Sequence, residues 1–143
     1  MIATLIDTNV VLDYAEKREG FFEVAEKMFS QMWQGLFIGF VSASAVTDIY
    51  FLLKKRYKDS EIAISLLKVL LDALDVLAVN RETIETAIES GMNDFEDAVQ
   101  AVAVKDFGID IVVTRDKEGF RNSGLWVYSP EKFLEMLENE KLR

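Results

Sequence analysis

The chain has 143 residues, half of them hydrophobic, with 16 Lys plus Arg against 25 Asp plus Glu and a net charge of −9. It has no Cys and no His, which excludes disulfides, thiolate metal sites, Ser-His-Asp triads and imidazole-bound zinc. Any bound metal must be a hard cation on oxygen ligands, and the acidity argues against coating nucleic acid by bulk charge.

The N-terminus, MIATLIDTNVV, lacks a basic leader, so no signal peptide is expected. Ile2 to Ile6 reads as a buried strand ending at Asp7. Phe21 to Trp33 carries apolar residues at helical spacing, and Gly35 closes it. Met28 to Thr47 is free of formal charge but broken by Gln, Gly and Ser. It reads as a helix end, a turn, a strand (Phe37 to Val41) and a helix start, not a membrane span. Ser44 is the expected N-cap of a helix to about Tyr57, and Ser60 that of the next. A short strand is expected at Asp75 to Val79, then a helix from Arg81 to Glu89. Asn93 or Asp94 opens another helix that Gly108 terminates. Ile109 to Val113 and Leu125 to Tyr128 are the last strands, and Pro130 starts a C-terminal helix. No linker or repeat divides the chain, so a single domain over 1–143, located in the cytoplasm, is expected. Strands alternating with helices predict an α/β fold with a mainly parallel sheet, whose ligands bind beyond the strands' carboxyl ends.

Acids at those ends are therefore the candidates. Asp7 follows the first strand, and Asp116 follows the fourth in IVVTRD. Asp48 lies in the apolar segment SASAVTDIYFLL, where an acid is costly unless a cation compensates. Asp94 and Asp97 share a helix face in NDFEDAVQAVAV. Each has an ordinary alternative as a cap or turn residue. Together they suit Mg²⁺ or Mn²⁺, because acids crowded at one place repel until a divalent cation relieves them.

At these residues the sequence resembles the PIN-domain family of metal-dependent ribonucleases, which includes VapC-type toxins. The matching pieces, in the family's order, are LIDTNVVLDY, SASAVTDIYFLLKK, DFEDAVQAVAVKDFGIDIVVTRD and WVYSPEKFL. The resemblance implies a three-layer α/β/α sandwich and an acidic Mg²⁺/Mn²⁺ site that cuts RNA. It assigns metal binding and catalysis to Asp7, Asp48, Asp97 and Asp116. Many relatives carry Glu where Asp48 stands. Asn9, Thr114 and Asp94 match supporting positions. One subgroup has Asn at position 116 and an acid three residues later, where this chain has Gly119.

Lys54, Lys55 and Arg56, with Lys58, form a basic cluster that either completes a helix C-terminus or contacts RNA phosphates. Arg115 and Lys117, with Arg121, flank Asp116 and are further RNA-contact candidates. Glu131, Glu135, Glu138 and Glu140 read as solvated surface. The toxin branch implies a small antitoxin that blocks the site, and the family implies a homodimer. The competing reading is a non-catalytic PIN-like module that binds RNA or protein. An aspartyl phosphatase would want an acid at position 9, and a response-regulator receiver finds only a poor match in TRDK.

Overall fold

Five short strands form the central sheet: β1 (Ala3–Ile6), β2 (Ile38–Ser42), β3 (Leu74–Leu77), β4 (Ile111–Val113) and β5 (Trp126–Tyr128). The computed structural model describes residues 1–139; Glu140 and the three residues after it lie outside that range. The strands pair in parallel in the order β3-β2-β1-β4-β5, with Leu5 level with Phe40 on one side and Val112 on the other.

Parallel strands need crossovers; a loop with a 3₁₀ turn (Glu118–Phe120) links β4 to β5, and helices supply the other crossovers, with one more helix after β5. The helices are α1 (Thr8–Ala15), α2 (Phe22–Trp33), α3 (Ala43–Tyr57), α4 (Ser60–Ala73), α5 (Arg81–Ile88), α6 (Phe95–Asp106) and α7 (Pro130–Glu138). The two-residue period of the strands sorts their side chains into two cores. Ile6, Val41 and Val113 pack with Val10, Phe29, Ile49 and Phe133. Leu5, Phe40 and Val112 pack with Ala101, Val104 and Phe120. The result is the three-layer α/β/α sandwich. Gly39 permits the close approach of α2 to β2: a Cβ there would collide with Met32 Sδ and lie 3.1 Å from Ile6 and Leu74. Among the described residues no helix is long and apolar enough to cross a membrane.

Several local expectations shift. Ser42, not Ser44, caps α3: its Oγ accepts from the Ala45 amide at 3.2 Å, while Ser44 Oγ bonds to Ser42 Oγ at 2.8 Å. Asp59, not Ser60, caps α4, accepting from the amides of Glu61 and Ile62. The third strand runs from Leu74 to Leu77, earlier than expected, and β2, β4 and β5 each start one or two residues late. Helix α1 is an addition. Its Val-Val pair disfavours helix locally, but Asp7 caps it and burial of Val10, Val11 and Leu12 outweighs propensity. Gly108 does terminate α6, at φ +84°.

Candidate active site

The strand order reverses between β1 and β4, because the chain leaves β1 towards β2 and returns to β4 on the other side. That switch point opens a crevice beyond the carboxyl ends of both strands. Asp7 and Thr114 are the first residues past them. The Asp7 amide donates to Val113 O at 3.0 Å, and the Thr114 amide to Tyr128 O at 2.9 Å, so the sheet ladder fixes both main chains.

Asp7 is 6% exposed. Its Oδ1 accepts from the Thr8 amide at 2.8 Å, and its Oδ2 from the Thr114 hydroxyl at 2.7 Å. Burial pushes its carboxyl above the ordinary range; hydrogen bonds from Thr114, Thr8 and Gln100 oppose this, and the charge of Asp116 adds to it. No cation pairs with it in these contacts.

Helix α6 brings the second acid. Asp94 is its N-cap, accepting from the Asp97 amide at 2.9 Å. Asp97 is half-buried and pushed up to about 7, first by burial and then by the charges of Asp7, Asp94, Asp116 and Glu96. Asp116 closes the group from the turn after β4. Its amide donates to Thr114 Oγ1 at 2.9 Å, and its Oδ1 accepts from the Gly119 amide at 3.2 Å. Asp97 and Asp116 bracket Gly119: a Cβ there would strike Asp97 Oδ2 and lie 3.0 Å from Asp116 Oδ2. The missing side chain at 119 therefore keeps the space between two carboxylates open.

Asp48 is half-buried on α3. It lines a cavity of about 90 Å³ with Thr8, Ser44, Phe95, Glu96 and Gln100. The acid it acts on is Glu96, whose carboxyl is raised first by Asp48, then by burial and Asp94. The structure thus gathers Asp7, Asp97 and Asp116, with Asp94 and Thr114 in support, and places Asp48 on the cavity that Thr8 and Gln100, both bonded to Asp7, also line. Among the described residues no three acids converge closely enough to enclose an ion alone.

The donor set nonetheless fits a hard, hydrated divalent cation. Mg²⁺ uses one or two carboxylates and keeps several waters. The open space between Asp97 and Asp116 offers two, with Asp7 electrostatically coupled to both. Two buried amide oxygens, Asn9 Oδ1 and Gln100 Oε1, have no hydrogen-bond partner among the described residues. Unpaired acceptors are expensive to bury, and ordered water around a cation would satisfy them.

The basic residues fall differently. Lys54, Lys55 and Arg56 form the exposed last turn of α3. They lie about 9–12 Å along the helix axis from Asp48, where their charge complements the helix dipole. Arg115 is not free for phosphate: its guanidinium grips Asp13 and lies 3.9 Å over the Phe21 ring. Lys117 is exposed at the start of the single 3₁₀ turn, and Arg121 pairs with Glu118 at 3.5 Å. Sequence reasoning missed Asp13, Glu96 and Gln100. Asp13 and Gln100 carried a readable signal, a polar residue interrupting an apolar run in VVLDYA and AVQAVAV.

A parallel three-layer sandwich with acids gathered past its first and fourth strands defines an α/β protein with an acidic crevice at its switch point. The chain belongs to the PIN domain family, whose model matches residues 3–118, from β1 through the turn that carries Asp116. It is similar to Ribonuclease VapC1 of Aquifex aeolicus (strain VF5), 25% identical over 135 residues that cover 91% of this chain and 92% of that protein. Its fold is similar to that in the crystal structure of VapBC2 from Rickettsia felis bound to a DNA fragment from their promoter. The TM-score there is 0.65 at 14% identity, covering 90% of this chain and 98% of that one. A toxin-antitoxin complex from Klebsiella pneumoniae gives a TM-score of 0.62 at 15% identity, covering 89% and 97%.

Proposed function

We propose that this protein is a metal-dependent endoribonuclease that hydrolyses RNA phosphodiesters, acting as the toxin of a toxin-antitoxin pair. The observation that carries the reading is the uncompensated trio Asp7, Asp97 and Asp116 at the switch point. Similarity to a VapC ribonuclease over most of both chains supports it. Asp97 and Asp116 would hold Mg²⁺ or Mn²⁺, with Asp7 completing the negative field. A bound ion of this kind supplies Lewis acidity to the phosphodiester and acidifies water.

The chain's own residues prepare that site. Thr114 and Gln100 orient Asp7, and the Asp94 cap fixes the Asp97 main chain. Asp48 and Glu96 border the cleft along which a strand would lie, and Asn9 and Gln100 offer acceptors to water. Lys117 follows Asp116 directly and is exposed. Phe51, Leu52 and Ile62 stand exposed on α3 and α4, which suits a protein partner such as a small antitoxin or a second copy of the chain.

The test is incubation of the purified protein with a mixed RNA pool and Mg²⁺ or Mn²⁺, beside EDTA and an Asp7→Asn control. The reading expects cleavage that both controls abolish. Cleavage surviving EDTA would sink it. The second reading, a non-catalytic RNA- or protein-binding module, is favoured by the absence of a closed three-acid cage among the described residues. RNA retained without cleavage in either metal would select it.

A further inference from the structure

We propose that the Asp13–Arg115 pair is a positioning device that aims Asp116 into the crevice. The inference rests on the reading of the crevice as a cation site and adds two residues to it that neither the fold nor the acids required.

Asp13 lies on α1 at 1% exposure, an acid sunk into the core layer. Both its oxygens are used. Arg115 Nε donates to Oδ2 at 2.7 Å and Nη2 to Oδ1 at 3.0 Å, a two-pronged grip. Arg18 Nη1 reaches Oδ1 at 3.5 Å. The Arg115 guanidinium also lies 3.9 Å over the Phe21 ring, so its plane is held from the side as well. An ion pair with only its carboxylate fully buried is weak evidence for stability, and its two-pronged geometry points to orientation. A bidentate guanidinium–carboxylate pair fixes a plane and a direction, which a single charge cannot do.

What it orients follows from chain order. Arg115 stands between Thr114 and Asp116. The Thr114 hydroxyl holds Asp7 on one side and accepts the Asp116 amide on the other. The Arg115 fork therefore anchors the middle of a three-residue turn whose two neighbours serve the crevice. Without it, Asp116 hangs on the Thr114 hydroxyl and the Gly119 amide alone. The same grip has a second consequence. A guanidinium next to Asp116 in sequence, if released, would compete for the acids in place of a cation; both prongs of its fork are instead engaged by Asp13.

The test compares the wild type with Arg115→Lys and Asp13→Asn in the full chain. Arg115→Lys keeps the charge and the aliphatic stem and loses the fork, so it separates geometry from charge. Two readouts are taken: metal-free amide hydrogen exchange at Asp116 and Gly119, and the Mn²⁺ dissociation constant by calorimetry. We expect exchange at those two amides to rise, and Mn²⁺ affinity to fall, by about tenfold or more in both variants, with the core amides of Val112 and Val113 unchanged in Arg115→Lys and accelerated in Asp13→Asn only by its loss of global stability. Exchange at Asp116 and Gly119 within about twofold of wild type would overturn the proposal, as would equal acceleration of the core amides in Arg115→Lys, which marks a merely structural pair. If the wild type binds no Mn²⁺, the cation reading fails, and the exchange data still decide whether the pair holds the turn.

Discussion

Asp7 and Asp13 sit at the two ends of the same short helix, and both are buried. Asp13 faces two guanidiniums and has every oxygen engaged by charge. Asp7 receives only neutral donors, and lies near two further acids that repel it and each other. The contrast separates two uses of a buried carboxylate. An acid that carries its own cation is part of the framework. An acid buried without one, in the company of others, leaves a charge deficit that something from solution must fill.

Substitutions should break the two ends of α1 in opposite ways. The largest effect is expected for Asp7→Asn, which should cut RNA cleavage by at least about a hundredfold, measured as initial rate at saturating Mn²⁺. Its metal-free stability in urea should change by less than about 1 kcal/mol, because the lost partners are neutral. Asp13→Asn should do the reverse first. It should lower urea stability by about 2 kcal/mol, less than the ~3–5 kcal/mol of a fully buried pair, since Arg115 and Arg18 keep roughly a third of their surface in water. Gly119→Ala should weaken Mn²⁺ binding by about tenfold in calorimetry, because the new methyl group occupies the space between Asp97 and Asp116.

A smaller effect concerns pH. The folded-state carboxyl of Asp97 is raised from 3.8 to about 7, and those of Asp7 and Glu96 are raised as well. Between those values the native state binds more protons than the unfolded chain, so metal-free stability from these groups is greatest in acid and falls as pH rises through about 7. A series of melting temperatures in EDTA should show this slope, and Asp97→Asn should flatten it. The smallest effect is expected for Lys54→Ala with Lys55→Ala, which should leave Mn²⁺ affinity unchanged and shift stability by no more than about 0.5 kcal/mol.

Much of this arrangement was legible in the sequence. The alternation of apolar runs with amphipathic segments sufficed for a parallel sandwich, because buried parallel strands must be apolar on both faces. The positions of Asp7 and Asp116 at strand ends placed them at one sheet edge. Helix α1 was not legible, since its two valines and eight-residue length give weak local signal and only tertiary burial makes it form. Nor was the division among the basic residues. Arg115 reads like Lys117 in TRDK, but the fate of each depends on Asp13, some hundred residues earlier in the chain. Asp48 shows the same limit: its apolar surroundings marked it as half-buried, while its facing of Glu96 depends on the packing of α3 against α6, which no spacing encodes. Gly119 marked a departure from the family's pattern, and its meaning, an open space between two carboxylates, emerged only in three dimensions.

The central claim, that the crevice acids are destabilised until a divalent cation joins them, is tested most directly by the melting temperature of the wild type with and without Mn²⁺ at pH 8 and pH 5.5. The account predicts a rise on adding Mn²⁺ that is larger at pH 8, where Asp97 is ionised, and that Asp97→Asn removes. An unchanged melting temperature at pH 8, or an equal rise in Asp97→Asn, would contradict it.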